Sequence, residues 1–215
     1  MCHYLSLKNH VYNYISEKIN EGTLTPNEKI NEQLICKELQ ISRTPVREAL
    51  IQLSTEGYLE NIPRRGFRVK LIDEKKAMEL YMLIGSLEGL AASLAINFIT
   101  NKEISHMKKL VITMDKFIAS ELYNNYYKIQ TEFHNIFINL CNNEELIRLL
   151  HQLKRSFIRQ SYMEKATVDF VSILKKTNDE HKKIIELFES KDKKNLESYL
   201  RDVHWNTKNA IFDSI

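Results

Sequence analysis

Glycine and proline are scarce in this chain, 5 and 3 among 215 residues. Turn-rich sheets need both, so their rarity favours helices. Cysteine is scarce too. Cys2, Cys36 and Cys141 are odd in number, scattered and without a CxxC pair, which excludes a disulfide framework and a zinc ribbon and fits a reducing cytoplasm. No sign of charge dominates: 31 Lys+Arg against 28 Asp+Glu leave a net +3, so global charge says little about nucleic acid. The N-terminus lacks a basic region followed by an apolar core, so no signal peptide is expected. The most apolar run, Ala77 to Ile99, is interrupted by Glu79 and Glu88, the mark of a buried helix rather than a membrane span. A phosphate loop, a nucleophile elbow and a His-Glu-x-x-His motif are all missing.

What is present is an ordinary globular composition, 43% hydrophobic and 27% charged, enough for one large domain or two small ones. Periodicity predicts a first helix over residues 7–21, with Leu7, Val11, Ile15 and Ile19 every fourth residue. A turn at Thr25-Pro26-Asn27 leads to a second helix near Glu32–Leu39, its inward face made of Leu34, Ile35 and Leu39. The most informative stretch is Ile41 to Leu53. It reads as a short helix with Ser42 or Thr44 as its cap, Pro45 in the first turn, and Val46, Ala49, Leu50 and Leu53 as one buried stripe. Arg43, Thr44 and Arg47 then point outward, where arginine can pair bidentately with guanine and free amides can meet phosphate. Tyr58–Asn61 and Phe67–Lys70 predict a hairpin around Pro63-Arg64-Arg65-Gly66. Residues 61–70 hold Arg64, Arg65, Arg68 and Lys70 with no acid, a basic patch suited to phosphates. Gly66 supplies either a special backbone conformation or a close approach.

From Asp73, the expected cap, everything reads as helical. A fourth helix is expected over Glu74–Ile99 with Leu80, Leu83, Leu87, Leu90 and Leu94 on one face. Thr100 and Glu103 form a capping box for a fifth, to about Leu122. A sixth follows at Asn124–Cys141 and a seventh at Asn143–Tyr162. After a polar loop come an eighth at Asn178–Glu189 and a ninth at Asp192–Phe212. No strand is expected after residue 70. The fold is mainly α: a winged helix-turn-helix of three helices and a small β-hairpin over residues 1–72, then an all-α antiparallel bundle over 73–215.

The run Ser42-Arg43-Thr44-Pro45-Val46-Arg47-Glu48-Ala49-Leu50, with Asn31-Glu32 before it and Glu56-Gly57-Tyr58-Leu59 after it, closely resembles the DNA-binding domain of GntR-superfamily transcription regulators. Two departures stand out: Asn27 where the family usually has glycine, and Gln33 where arginine is frequent. Leu87-Glu88, Glu132-Phe133-His134, Glu180-His181, Asp192 and His204 resemble the FCD effector-binding domain of the FadR branch. The resemblance implies DNA binding by Ser42, Arg43, Thr44, Arg47, Arg64, Arg65 and Gly66. It also implies a homodimer on a short inverted repeat in double-stranded DNA, and a small-molecule effector in the bundle.

His134, His181 and His204 fall on three different late helices, and a bundle can converge such side chains in its core. Three imidazoles suit zinc or nickel; spacing alone favours polar core groups or hydrogen bonds to an effector, and the resemblance tips the reading to a metal. In metal-binding FCD domains the three histidines act with an aspartate one turn before the first, and here that position is Gln130. Many relatives carry an arginine for the effector's carboxylate where this chain has Ile84. Arg155 and Arg159 in the seventh helix are candidates to replace it, so the effector pocket is expected around Gln130, Arg155 and Arg159. His3, His10, His106 and His151 show no pattern and are expected at the surface.

The leading function is a cytoplasmic, effector-responsive transcription regulator, not an enzyme and not bound to a membrane. Two alternatives compete with it. A metal-dependent hydrolase would need a carboxylate base beside the histidines, and Glu132 lies on another face from His134. A ligand-free architectural DNA binder would not need so large a second domain.

Overall fold

In the computed structural model, residues 6–20, 23–71, 73–155 and 168–212 are described. They form two compact units that divide after Asp73. In the first, α1 (Leu7–Asn20) packs on α3 (Arg43–Thr55), with α2 (Glu32–Leu39) across α3. The expected stripe Val46, Ala49, Leu50 and Leu53 is fully buried against Val11, Ile15 and Ile19. β1 (Leu59–Ile62) and β2 (Gly66–Val69) pair antiparallel, Leu59 opposite Val69 and Ile62 opposite Gly66, and leave a three-residue tip at residues 63–65. Residues 28–30 add a short third edge: Lys29 bridges Arg68, and the Ile30 amide donates to the Phe67 carbonyl at 2.8 Å.

Two local expectations need correction here, and one alternative is decided. Leu34 is half exposed, not inward; the inward side of α2 is Ile35 with Leu39, one turn apart, and Leu34 lies a third of a turn away. Ser42 occupies the N-cap position, yet its side chain makes no capping bond, and Thr44 is already inside the helix. Gly66 has φ +87° with open space where a Cβ would stand, so its role is the left-handed backbone and not a close approach. Asn27 takes φ 67° in the turn where a glycine is usual, a conformation asparagine tolerates.

The second unit is all helical among the described residues: α4 (Glu74–Ala95), α5 (Asn101–Ala119), α6 (Tyr123–Leu140), α7 (Glu144–Arg155), α8 (Val168–Glu189) and α9 (Lys193–Tyr199). A π-helical turn at Leu200–His204 and a 3-10 turn at Thr207–Phe212 follow α9. The Thr100–Glu103 capping box forms as expected. α4 packs on α6, α9 and the two closing turns; α5 packs on α6 and α8.

α4 does not bury the leucine face. Ala77, Leu80, Tyr81, Ile84, Gly85, Glu88, Ala91, Ala92 and Ala95 face inward, while Leu83 and Leu90 are exposed and Leu87 and Leu94 half-buried. Small residues win the interior because α9 approaches too closely for leucine: a Cβ on Gly89 would stand 2.8 Å from the Glu197 carbonyl oxygen. α4 alone is long and apolar enough to cross a membrane by length and composition among the described residues, but its inner face is core.

Two more boundaries move. α8 begins ten residues before the expected start, because Phe170 and Leu174 extend its buried stripe beneath exposed lysines at 175 and 176. The expected ninth helix is broken in two by the π-helical turn. The last part of the expected seventh helix, residues 156–162, lies outside the described residues.

Candidate metal centre and nucleic-acid interface

His134 lies on α6, His181 on α8 and His204 in the π-helical turn, and all three side chains are buried. Their ligating nitrogens lie within 4.8 Å of one another. His134 Nε2 is 3.3 Å from His181 Nε2 and 3.2 Å from His204 Nε2.

The opposite ring nitrogens settle the tautomers. His134 Nδ1 is 2.8 Å from Glu88 Oε2, and His204 Nδ1 is 3.0 Å from Glu180 Oε2. His181 Nδ1 is 3.2 Å from Asn178 Oδ1. The Asn178 amide nitrogen donates to the Val111 carbonyl at 3.0 Å and to Asp115 at 2.7 Å, so its oxygen is the accepting end. Each Nδ1 therefore donates, and in the neutral imidazoles each Nε2 carries its lone pair on the side of the cluster. Three facing lone pairs repel unless a cation lies between them. Zinc–nitrogen bonds of about 2.0–2.1 Å at tetrahedral angles would hold the nitrogens about 3.3 Å apart. The distances from His134 Nε2 to the other two Nε2 atoms match that.

The charges agree. Glu88 is fully buried and Glu180 is 6% exposed, and a dication would balance both. Glu88 Oε2 also accepts from Trp205 Nε1 at 2.7 Å, so one carboxylate orients both a histidine and an indole. Tyr199, half-buried on α9, has its hydroxyl pushed up to about 12, first by burial and then by the charges of Glu180 and Glu186.

Gln130 lies one turn before His134 on α6. Its Oε1 is shut off from solvent and accepts no hydrogen bond among the described residues. A buried amide oxygen of this kind fits a metal's or an effector's need for a donor atom. Ile84 is buried on α4 one turn before Glu88, with no charge to offer. Arg155 ends α7, and Arg159 lies outside the described residues. Glu132 is drawn instead to exposed His106, at 2.9 Å. His10 is exposed, His151 is half-buried near Asn139, and His3 lies outside the described residues. Sequence reasoning gave no role to Glu88, Asn178, Glu180 or Trp205. The available signals were a glutamate inside an apolar helix, an asparagine one turn before His181, and the single tryptophan beside His204.

At the other unit, Ser42, Arg43, Thr44 and Arg47 are all exposed around the start of α3. Arg47 Nε stands 3.7 Å from Glu32, a loose pair that a phosphate or base can replace. Arg64 and Arg65 are exposed at the hairpin tip, where Arg64 itself takes φ 63°.

Comparisons with known proteins find relatives of both units of the chain. Residues 7–69 match the family described as bacterial regulatory proteins, gntR family, and residues 79–203 match the FCD domain. The Nta operon transcriptional regulator of Aminobacter aminovorans is 34% identical over 131 residues, 60% of each chain, so less than two thirds of that relative is covered. An uncharacterised HTH-type transcriptional regulator of Bacillus subtilis, YdhC, is 29% identical over 206 residues, 91% of this chain and 86% of its own. Among solved structures, Escherichia coli McbR/YncC superposes with a TM-score of 0.81 over 97% of both chains at 20% identity, a likeness of fold.

Proposed function

The chain belongs to the GntR family of bacterial regulatory proteins and carries an FCD domain, and from that premise we propose how its residues regulate transcription. The first unit binds duplex DNA. The start of α3 enters the major groove, with Arg43 and Arg47 reading bases and Ser42 and Thr44 touching the backbone. Arg64, Arg65 and Gly66 bring the wing to a neighbouring groove or phosphate. The second unit, the domain of residues 73–215, holds one divalent ion, zinc or nickel, on His134, His181 and His204. Gln130, one turn before His134 on α6, would offer its buried amide oxygen to the ion or leave room for an effector or water. The bound ion would supply a Lewis-acidic anchor for the effector; Glu88, Glu180 and Asn178 hold the three rings in the ligating tautomer.

The protein acts as a homodimer on an inverted repeat in the cytoplasm. Supporting this, Met78, Met82, Leu83 and Leu90 are exposed on the outer side of α4, between 40% and 64% accessible, around Glu79 and Ser86. Such a surface on a single chain suits a second copy of itself. The effector changes operator affinity only by binding the DNA-competent and incompetent dimers differently. Arg155 and Arg159 remain the candidates for a charged effector group.

The observation that carries this reading is the ring of three Nε2 lone pairs inside a domain joined to a winged helix. The test is native purification, elemental analysis and mass spectrometry of released small molecules, followed by selection of duplexes with and without them. About one zinc or nickel per chain, and a released metabolite that changes duplex affinity, are expected. Metal-free protein that takes up no ion, and duplex binding indifferent to every released compound, would overturn it.

A further inference from the structure

Several cations of the winged-helix unit are already engaged. Arg68 is held by Glu60 at 3.0 Å, and Arg47 leans on Glu32 at 3.7 Å. Lys29, Arg43 and Arg65 enter no ion pair among the described residues, and all three line one open groove of about 470 Å³ with Gln33 and Gly66. The three come from separate parts of the chain: the edge strand before α2, the start of α3, and the wing tip. Lys29 is not on a loose loop. Its segment is pinned to β2 by the Ile30 amide on the Phe67 carbonyl at 2.8 Å and by the Val69 amide on the Glu28 carbonyl at 2.9 Å. The exposed ammonium thus belongs to a segment bridged to β2 of the wing.

Three unpaired cations around one groove repel each other, and an anion relieves that repulsion. Glu32 is the single acid in the lining, and its carboxylate is turned to Arg47. We propose that this groove seats a backbone phosphate of the bound duplex, with Lys29 as a phosphate-contacting residue that locks the wing and the recognition helix to one strand. The inference rests on the reading that α3 meets DNA. It adds a site whose contribution is independent of base sequence. Lysine at this place suits a point-charge contact better than a base-reading one.

The test compares Lys29→Ala, Lys29→Arg and Arg43→Ala in full-length protein, by fluorescence anisotropy on a mixed-sequence duplex and on a duplex selected by the wild type. Losing one phosphate contact should lower affinity about eightfold per protomer near 0.1 M salt and reduce the salt slope by about 0.9. Lys29→Ala should show that loss on both duplexes, Lys29→Arg should restore it, and melting temperature should stay unchanged. A methylphosphonate scan of the selected duplex should find one position per half-site where the Lys29→Ala defect disappears. Unchanged affinity and slope for Lys29→Ala, with Arg43→Ala impaired, would overturn the groove and leave the recognition helix standing. A loss confined to the selected duplex would make Lys29 a base reader and also overturn it. If both variants bind like wild type, the assignment of α3 fails as well.

Discussion

His134, His181 and His204 were recognisable as candidates because a family resemblance singled them out of seven histidines; spacing alone left them open. What the sequence could not show was the direction of each ring. That depends on Glu88 and Asn178, which lie 46 residues before His134 and 3 before His181 in the chain. One follows from tertiary packing and the other from a helical turn. The consequence is measurable. His181→Ala should abolish metal uptake. Wild type should gain about 2.7 kcal/mol of stability when free metal is a hundred times its dissociation constant. Gln130→Asp adds a third carboxylate to Glu88 and Glu180, so without metal it should melt below wild type and with metal bind more tightly. Melting curves of the three proteins with zinc and nickel check this; equal metal responses in all three would remove the histidines from the ligand set. On DNA, Arg43→Ala or Arg47→Ala should cost about 1–3 kcal/mol on the selected site and relax specificity there. Competition anisotropy with single-base variants reads it, and wild-type binding by both variants would misplace the recognition helix.

At the scale of elements, the winged helix was legible almost to the residue, because caps, turns and a short stripe are local signals. α3 lies within two residues of expectation and both strands within one. The bundle was less legible. Hydrophobicity nominated the leucines of α4 for the core, whereas close backbone approach selected the glycines and alanines. That distinction depends on the helix opposite, which no window of sequence contains. The broken ninth helix is similar. The Trp205 amide donates to the Leu200 carbonyl at 3.0 Å, a five-residue step that places His204 and Trp205 together against α4. Gly85 is where the two elements meet: a Cβ there would stand 2.8 Å from Trp205 Cβ and 3.2 Å from the Arg201 carbonyl oxygen. Glycine to alanine inside a helix ordinarily gains up to about 1 kcal/mol. Here the sign should reverse, with Gly85→Ala losing about 1–3 kcal/mol through overpacking. Displacing Trp205 also loosens Glu88 and hence His134, so metal affinity should fall in the same variant. Urea titration and metal uptake report the two effects. A stabilised Gly85→Ala with unchanged metal binding would mean that α4 and the closing turns are not held this tightly.

For the whole molecule, the apolar row that failed to enter the core gives the strongest reason to expect a second copy. Met82 is 64% and Leu83 50% exposed on the outer side of α4, apolar surface that a second copy would cover. The proposed metal ligands come from α6, α8 and the π-helical turn of a single chain, so that site would not need the partner. This separates two properties that are otherwise entangled. Leu83→Glu should convert the protein to a monomer at micromolar concentration by light scattering, because paired glutamates across a two-fold axis repel as well as lose their burial. Its metal content and metal-dependent melting should remain those of wild type. Its DNA binding should change in a specific way: a lone head neutralises half as many phosphates, so the slope of log affinity against log salt should halve. Preference for an inverted repeat over a single half-site should vanish with it. If wild type itself scatters as a monomer with the selected duplex present, the stripe on α4 covers something other than a second copy. If Leu83→Glu stays dimeric and keeps the full salt slope, the two chains meet through another surface.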